Sequence, residues 1–204
     1  MDPSFWLERW QRNEIGFHNA APHRGLQRWW PRLALPPGSR VFVPLAGKSL
    51  DMIWLAAQGH SVVGVELSAS AVEAFAAENG PIERVDLRCG DIFELDAARL
   101  GPIQGVFDRG ALVALPPAMR QRYAAQLSAL SQRGTRTLLV TMEYDQSKMK
   151  GPPHAVPESE VHALYGADHE IELLGRDREL DDGPKFAQRG VDAIAEAYYL
   201  LTRR

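Results

Sequence analysis

The stretch from residue 41 to residue 68, VFVPLAGKSLDMIWLAAQGHSVVGVELS, constrains this chain more than any other. It opens on Val41-Phe42-Val43, an apolar, β-branched run short enough to be a strand buried on both faces. A turn of small residues follows, Pro44-Leu45-Ala46-Gly47. Met52, Ile53, Leu55 and Ala56 then recur at helical spacing, with Ser49 and Asp51 in the first turn. The helix stops near Gly59, a second strand over 61–65 ends on Glu66, and another helix begins after Ser68. In doubly wound α/β sheets the first turn lets backbone approach a bound nucleoside. A carboxylate roughly 20 residues further on accepts hydrogen bonds from the ribose hydroxyls. The spacing from Gly47 to Glu66 meets that requirement. A solvated acid capping a strand is the bland alternative.

Two other nucleotide patterns fail on the same residues. Gly47-Lys48-Ser49 has the look of a phosphate-binding loop, but the glycine needed five positions earlier is Phe42. The dinucleotide fingerprint needs three glycines in this turn, and only Gly47 is there. Such a turn has less room for a pyrophosphate and suits a nucleoside without phosphate, S-adenosylmethionine being the obvious candidate.

Several stretches together resemble the thiopurine S-methyltransferase family, class I S-adenosylmethionine-dependent enzymes. They are FWLERWQRNEIGFH (5–18), the 41–68 stretch with its PLAGKS and GVELS, CGDIFEL (89–95), FDRGALVALPPAMRQRYA (107–124), GPPHAVP (151–157) and YYLLT (198–202). The resemblance covers nearly the whole chain. It implies a single Rossmann-like, doubly wound α/β domain over 1–204, with a mostly parallel seven-stranded sheet, an antiparallel edge, and residues 1–40 as an N-terminal lid. It also implies S-adenosyl-L-methionine as methyl donor, S-adenosyl-L-homocysteine as product, no metal, and a small aromatic or heterocyclic thiol such as a thiopurine as acceptor. Relatives usually carry a longer insertion between the 69–79 helix and the next strand, which bears on the shape of the acceptor pocket here.

A length of 204 residues fits one α/β domain with a sizeable core. The net charge of -3 offers no basic footprint for nucleic acid. Cys89 is the only cysteine, so neither a disulfide framework nor a multi-cysteine metal site is expected. The absence of a long apolar run argues against a membrane partner and leads us to expect a cytoplasmic monomer.

Trp6, Trp10, Phe17, Trp29 and Trp30 crowd the segment before the first strand, and Trp6 and Trp10, four apart, share a helix face. These rings could staple the helix to the domain, or form a lid whose π faces attract a cationic sulfonium. The resemblance selects the lid, with Trp10 on the cofactor and Phe17 on the substrate. His18 and His23, lacking a carboxylate or cysteine cluster, read as surface or packing histidines.

Helix 69–79 presents Val72, Phe75 and Ala76 to the core and ends at Asn79-Gly80-Pro81. A strand over 85–88 leads to Cys89-Gly90-Asp91-Ile92. By resemblance Asp91 and Ile92 receive the adenine, whereas the residues alone equally allow Asp91 as a helix cap or turn. A strand over 103–107 delivers Asp108-Arg109-Gly110-Ala111 to the carboxyl end of the sheet, where such folds bind ligands. An adjacent acid and base are often a local ion pair of little value. The resemblance makes Arg109 a catalytic residue in contact with cofactor and substrate, with Asp108 as its catalytic companion.

A helix from 117 to 131 and a strand over 136–142 follow. The polar loop 143–156 carries Gly151-Pro152-Pro153-His154, and Pro157 starts a helix over 158–165. The resemblance places that loop in the pocket wall, with His154 either an exposed loop residue or a general base. Strands 170–176 and 191–200 form the antiparallel edge, and between them either Lys185 or Arg189 could face an acidic substrate, the resemblance pointing to Lys185.

The implied reaction is an in-line displacement, to which the enzyme contributes proximity and alignment. In it Glu66 holds the ribose, the Leu45–Gly47 turn cradles the methionine portion, Trp10 covers it and Arg109 orients the acceptor. No Cys/His or Ser/His pairing points to covalent catalysis. Selenium or tellurium compounds are alternative acceptors. An NAD-dependent oxidoreductase, disfavoured by the missing glycines, and a non-catalytic S-adenosylmethionine-binding protein are the other classes.

Overall fold

The computed structural model describes residues 3–178, 183–191 and 193–204. Its sheet comprises β1 (Arg40–Pro44), β2 (Ser61–Glu66), β3 (Val85–Cys89), β4 (Gly105–Arg109), β5 (Arg136–Tyr144), β6 (His169–Asp177) and β7 (Ile194–Arg203). The seven strands lie in the order β3-β2-β1-β4-β5-β7-β6. β1 to β5 pair in parallel, and β7 enters antiparallel to both β5 and β6. The expected architecture is therefore present, with the antiparallel pairing confined to one end.

Alternation along the strands feeds two cores, one on each face. Phe42 joins Val106, Leu139 and Tyr199 on one side. Val41 and Val43 join Phe107, Leu138 and Tyr198 on the other. Helices α6 (Pro117–Leu130) and α7 (Glu158–Tyr165) cover the first face, through buried Tyr123, Leu127, Val161 and Tyr165. The second is covered by α2 (Arg24–Trp29), α3 (Asp51–Ala57) and α4 (Ala69–Asn79), through Leu26, Met52 and Phe75. This double coverage is why the central strands read as continuous apolar runs.

α4 starts where Ser68 Oγ accepts from Ala71 N at 3.3 Å and ends at Gly80, whose φ of 66° no side chain favours. The short connection to β3 uses a second left-handed residue, Arg84, with φ 68°. Several boundaries differ from expectation. β4 runs to Arg109 because Asp108 and Arg109 still pair with Leu139 and Val140 of β5. β7 begins at Ile194, opposite Tyr144, and extends to Arg203, so β5 and β7 are both longer than their apolar stretches. The 181–190 segment contains a short helix, Gly183–Gln188, too brief to show a periodic pattern.

Candidate functional site

A cavity of about 800 Å³ opens at the carboxyl ends of β1, β2, β4 and β5, under α1 (Pro3–Gln11). Its first end is made by the turn after β1. Leu45 and Gly47 both take left-handed backbone, φ 47° and 55°, and Ala46 N donates to Val65 O at 3.0 Å. Glu66, 6% exposed, closes the turn. Its Oε2 accepts from Gly47 N at 2.9 Å and its Oε1 from Ser68 N at 2.8 Å. Burial pushes the carboxyl pKa up, and the amides of Ser68, Gly47 and Leu67 pull against it. Each oxygen keeps a lone pair for a hydroxyl in the cavity.

Gly47 is needed for a second reason: a Cβ there would stand 3.1 Å from Trp10 Cζ2. Trp10 meets Phe17 edge to face at 5.5 Å, and Phe17 meets Trp6 at 5.5 Å. No residue of α1 is buried, so the helix rests on the domain through these rings. Phe17, 39% exposed, lines the cavity with Trp10.

Asp91 caps the turn Ile92–Glu94, Oδ1 accepting from Phe93 N at 2.9 Å. The capping alternative is thus realised, and Asp91 and buried Ile92 line the cavity as well. Half-buried Arg109 enters the same cavity from β4.

Asp108 is a correction. Strand alternation turns it to the opposite face, where it is fully buried, outside the cavity lining. Its Oδ2 accepts from Tyr123 Oη at 2.7 Å and its Oδ1 from Leu112 N at 3.3 Å. Burial pushes its carboxyl up to about 6. It braces α6 against β4 rather than reaching a ligand.

The other end of the cavity is walled by Val140, Met142, Pro152, Pro153, Arg189 and Glu196. The Pro152–Pro153 loop is held from below by buried Arg120. Its Nε donates to Leu115 O at 3.0 Å, and its Nη1 to Ala155 O at 3.1 Å and to both Glu160 oxygens at 2.8 Å. His154 is half-buried and outside the lining, anchored by its backbone N to Val113 O at 2.7 Å. The Lys185 side chain lies outside the described residues.

Of the two histidines read as surface or packing residues, His18 reaches the cavity and His23 packs beside it, and Glu196 was not singled out by the sequence. His18 lines the cavity, its pKa lowered by burial and by Lys48. His23 is buried, donating its backbone N to Asp51 Oδ1 at 2.7 Å and its Nε2 to Glu196 Oε1 at 3.3 Å. Glu196 is 5% exposed and also accepts from Tyr198 Oη at 2.7 Å. A lone acid inside the apolar run of β7 was the available signal. Among the described residues no group of three or more His, Cys, Asp or Glu could hold a metal ion, and no helix is long and apolar enough to cross a membrane.

A carboxylate-tipped β2 facing the turn after β1, in a sheet of this order, is a Rossmann-like nucleoside-binding arrangement. The fold matches a SAM-dependent methyltransferase from Anabaena variabilis with TM-score 0.71, at 15% identity over 99% of this chain and 95% of that one. It matches the 1,6-didemethyltoxoflavin-N1-methyltransferase of Burkholderia thailandensis, solved with S-adenosylhomocysteine, with TM-score 0.68 at 21% identity over 98% and 87%. The family model for Thiopurine S-methyltransferase (TPMT) matches residues 1–204. The Thiopurine S-methyltransferase of Azotobacter vinelandii is 49% identical over 218 aligned positions, covering 100% of both chains. The chain belongs to the thiopurine S-methyltransferase family of S-adenosylmethionine-dependent enzymes.

Proposed function

We propose that the chain methylates the sulfur of a small aromatic or heterocyclic thiol, such as a thiopurine. The observation that carries this reading is one cavity joining the Gly47–Glu66 turn and Arg109 to an end walled by Met142, Pro152 and Pro153. Flat apolar walls suit a planar ring, and the names of the full-length relatives support a thiopurine-like acceptor.

The residues fit the donor. Gly47 leaves backbone bare where a side chain would meet Trp10, and Glu66 retains acceptor capacity for ribose hydroxyls. When bound, S-adenosylmethionine supplies an electrophilic methyl group on a cationic sulfur. Glu66 and the Leu45–Gly47 turn would hold its ribose and methionine portions, and Asp91 and Ile92 its adenine. The guanidinium of Arg109 suits a carboxylate and helps orient the acceptor. Trp10 and Phe17 offer ring faces to the sulfonium and exclude water. The chain's main contribution is alignment of the acceptor sulfur with the methyl group.

The test is turnover of 6-mercaptopurine with S-adenosylmethionine, read as methylated product by mass, with Arg109→Ala alongside. The variant should lose roughly 10- to 100-fold in kcat/KM, the value of a hydrogen bond to a charged group. No product from the wild type, with S-adenosylhomocysteine still bound, would remove the thiol and keep the donor.

A further inference from the structure

We infer that Glu196 takes the acceptor's proton and that Tyr198 and Asp177 lead it from the cavity to the surface. The inference rests on the thiol reading above. A neutral thiol, or a ring thioamide whose proton is on nitrogen, must shed that proton as its sulfur is methylated. Under an aromatic lid, bulk water is a poor receiver, so a positioned base is required.

The geometry singles out Glu196. It stands opposite Met142 of β5 and lines the acceptor end. Its Oε2 accepts from Tyr198 Oη at 2.7 Å and its Oε1 from His23 Nε2 at 3.3 Å. The second lone pair of Oε1 is left for an S–H or N–H. The other acids of the cavity are committed elsewhere. Glu66 is held by two amides at the opposite end, Asp91 caps Phe93 N, Asp51 accepts from His23 N and Ser49 Oγ, and Glu14 pairs with Arg9 at 3.6 Å.

Tyr198 provides the exit. Its hydroxyl also reaches Asp177 Oδ2 at 3.2 Å. One hydroxyl proton between two carboxylates can be donated to only one of them at a time. A proton taken up at Oε1 reaches Tyr198 once the carboxyl turns about its Cγ–Cδ bond, and as it passes to the tyrosine oxygen the tyrosine's own proton passes to Asp177. The Asp177 side chain is 22% exposed and pairs with exposed Arg28 at 3.3 Å, so the path ends in solvent.

Among the described residues, Glu196 is faced by His23 at the start of α2, Tyr198 on its own strand, Asp177 of β6 and Arg109 of β4. Burial acts to raise its pKa, but the His23 and Tyr198 bonds and the Arg109 charge outweigh it and hold the carboxyl below its ordinary value. Glu196 is therefore an anion at neutral pH. Transfer to so weak a base becomes favourable as methylation strips the acceptor of its basicity. The sulfur lone pair forms the new C–S bond, the donor's C–S electrons stay on the donor sulfur, and the S–H or N–H electrons stay with the acceptor.

The experiment is a series of para-substituted thiophenols, from nitro to methoxy, with wild type, Glu196→Gln and Tyr198→Phe. Assayed at about pH 5, where 4-nitrothiophenol is still mostly ionised and 4-methoxythiophenol mostly protonated, the glutamine variant should lose least with the nitro compound, rising to roughly 10-fold in kcat/KM with the methoxy compound. A loss of equal size across the series makes Glu196 structural and overturns the inference. Tyr198→Phe keeps the ring against Gly25 and Trp29. It should show the same trend more weakly, and would still decide the matter if the glutamine variant failed to fold. Independently of turnover, the ultraviolet band of 6-mercaptopurine bound beside S-adenosylhomocysteine should ionise at higher pH on the wild type, because an adjacent anion favours the N–H form. Glu196→Gln should remove that shift, and no shift on either protein overturns the contact. If the wild type methylates no thiol at all, the thiol reading fails instead.

Discussion

The two ends of the cavity are built from different material. At the ribose end the polar groups are mostly backbone. Gly47 N and Ser68 N converge on Glu66 from positions 19 and 2 residues away. At the acceptor end they are side chains brought from far apart: His23 meets Glu196 across 173 positions, and Arg120 reaches Glu160 across 40. On the proposed reading the ribose contact is thus a property of one strand–turn–helix–strand unit, complete once that unit folds, and the acceptor contacts form only after elements from both ends of the chain have packed on the sheet. A backbone amide cannot be replaced by substitution, whereas each side chain of the acceptor end can be exchanged singly. This division allows the acceptor to vary while the donor stays constant.

Glu66→Ala is the strongest attempt to break that comparison. It strips two amides of their partner, at about 1–3 kcal/mol for each one left buried and unsatisfied. The ribose contact goes as well. S-adenosylhomocysteine affinity, read by calorimetry, should fall by more than about 100-fold. Urea unfolding should show a loss of at least about 2 kcal/mol. Unchanged affinity would mean that the ribose end is not where the donor is recognised.

Asp108→Asn tests the boundary between cavity and brace. The native carboxyl titrates at about 6 against an ordinary 3.8. In that interval the folded state holds a proton that the unfolded state has lost. The stabilisation is fully present below about 3.8 and is lost as pH rises through about 6. The span of the shift corresponds to roughly 3 kcal/mol. Urea unfolding across that range should show the wild type losing stability relative to Asp108→Asn as pH rises. S-adenosylhomocysteine affinity should stay unchanged. A drop in affinity without a change in the pH slope would return Asp108 to the site.

The same division explains what the sequence made legible. The strands, turn and helices within residues 41–68 were readable, because Phe42, Gly47, Glu66 and the Ser68 cap act on near neighbours. The bounds of α4 and α7 were equally clear from Ser68, Gly80 and Pro157. Asp108 was not, since nothing in its tetrapeptide announces that Tyr123 will close over it or that β5 will carry the strand two residues further. Glu196 was not singled out: period-two alternation places it with Tyr198 on one face of β7, but their partners His23 and Asp177 come only with tertiary packing. The preference for a lid over a staple came from resemblance alone.

Trp10 bears on both ends at once, which makes its removal the subtlest test. Its ring packs over Gly47 on the donor side and against Phe17 on the acceptor side. Because α1 buries no residue, losing the ring should cost the fold little. If the ring covers a cationic sulfur, Trp10→Ala should weaken S-adenosylmethionine binding by about 1–2 kcal/mol, roughly tenfold. Neutral S-adenosylhomocysteine lacks the cation–π attraction, so its affinity should fall less. Two titrations and one unfolding curve therefore separate the readings. Unequal losses for the charged and neutral ligands, with stability intact, describe a lid. Equal losses together with a lower unfolding midpoint describe a staple, and would show that the donor end needs the N-terminal helix to hold its shape.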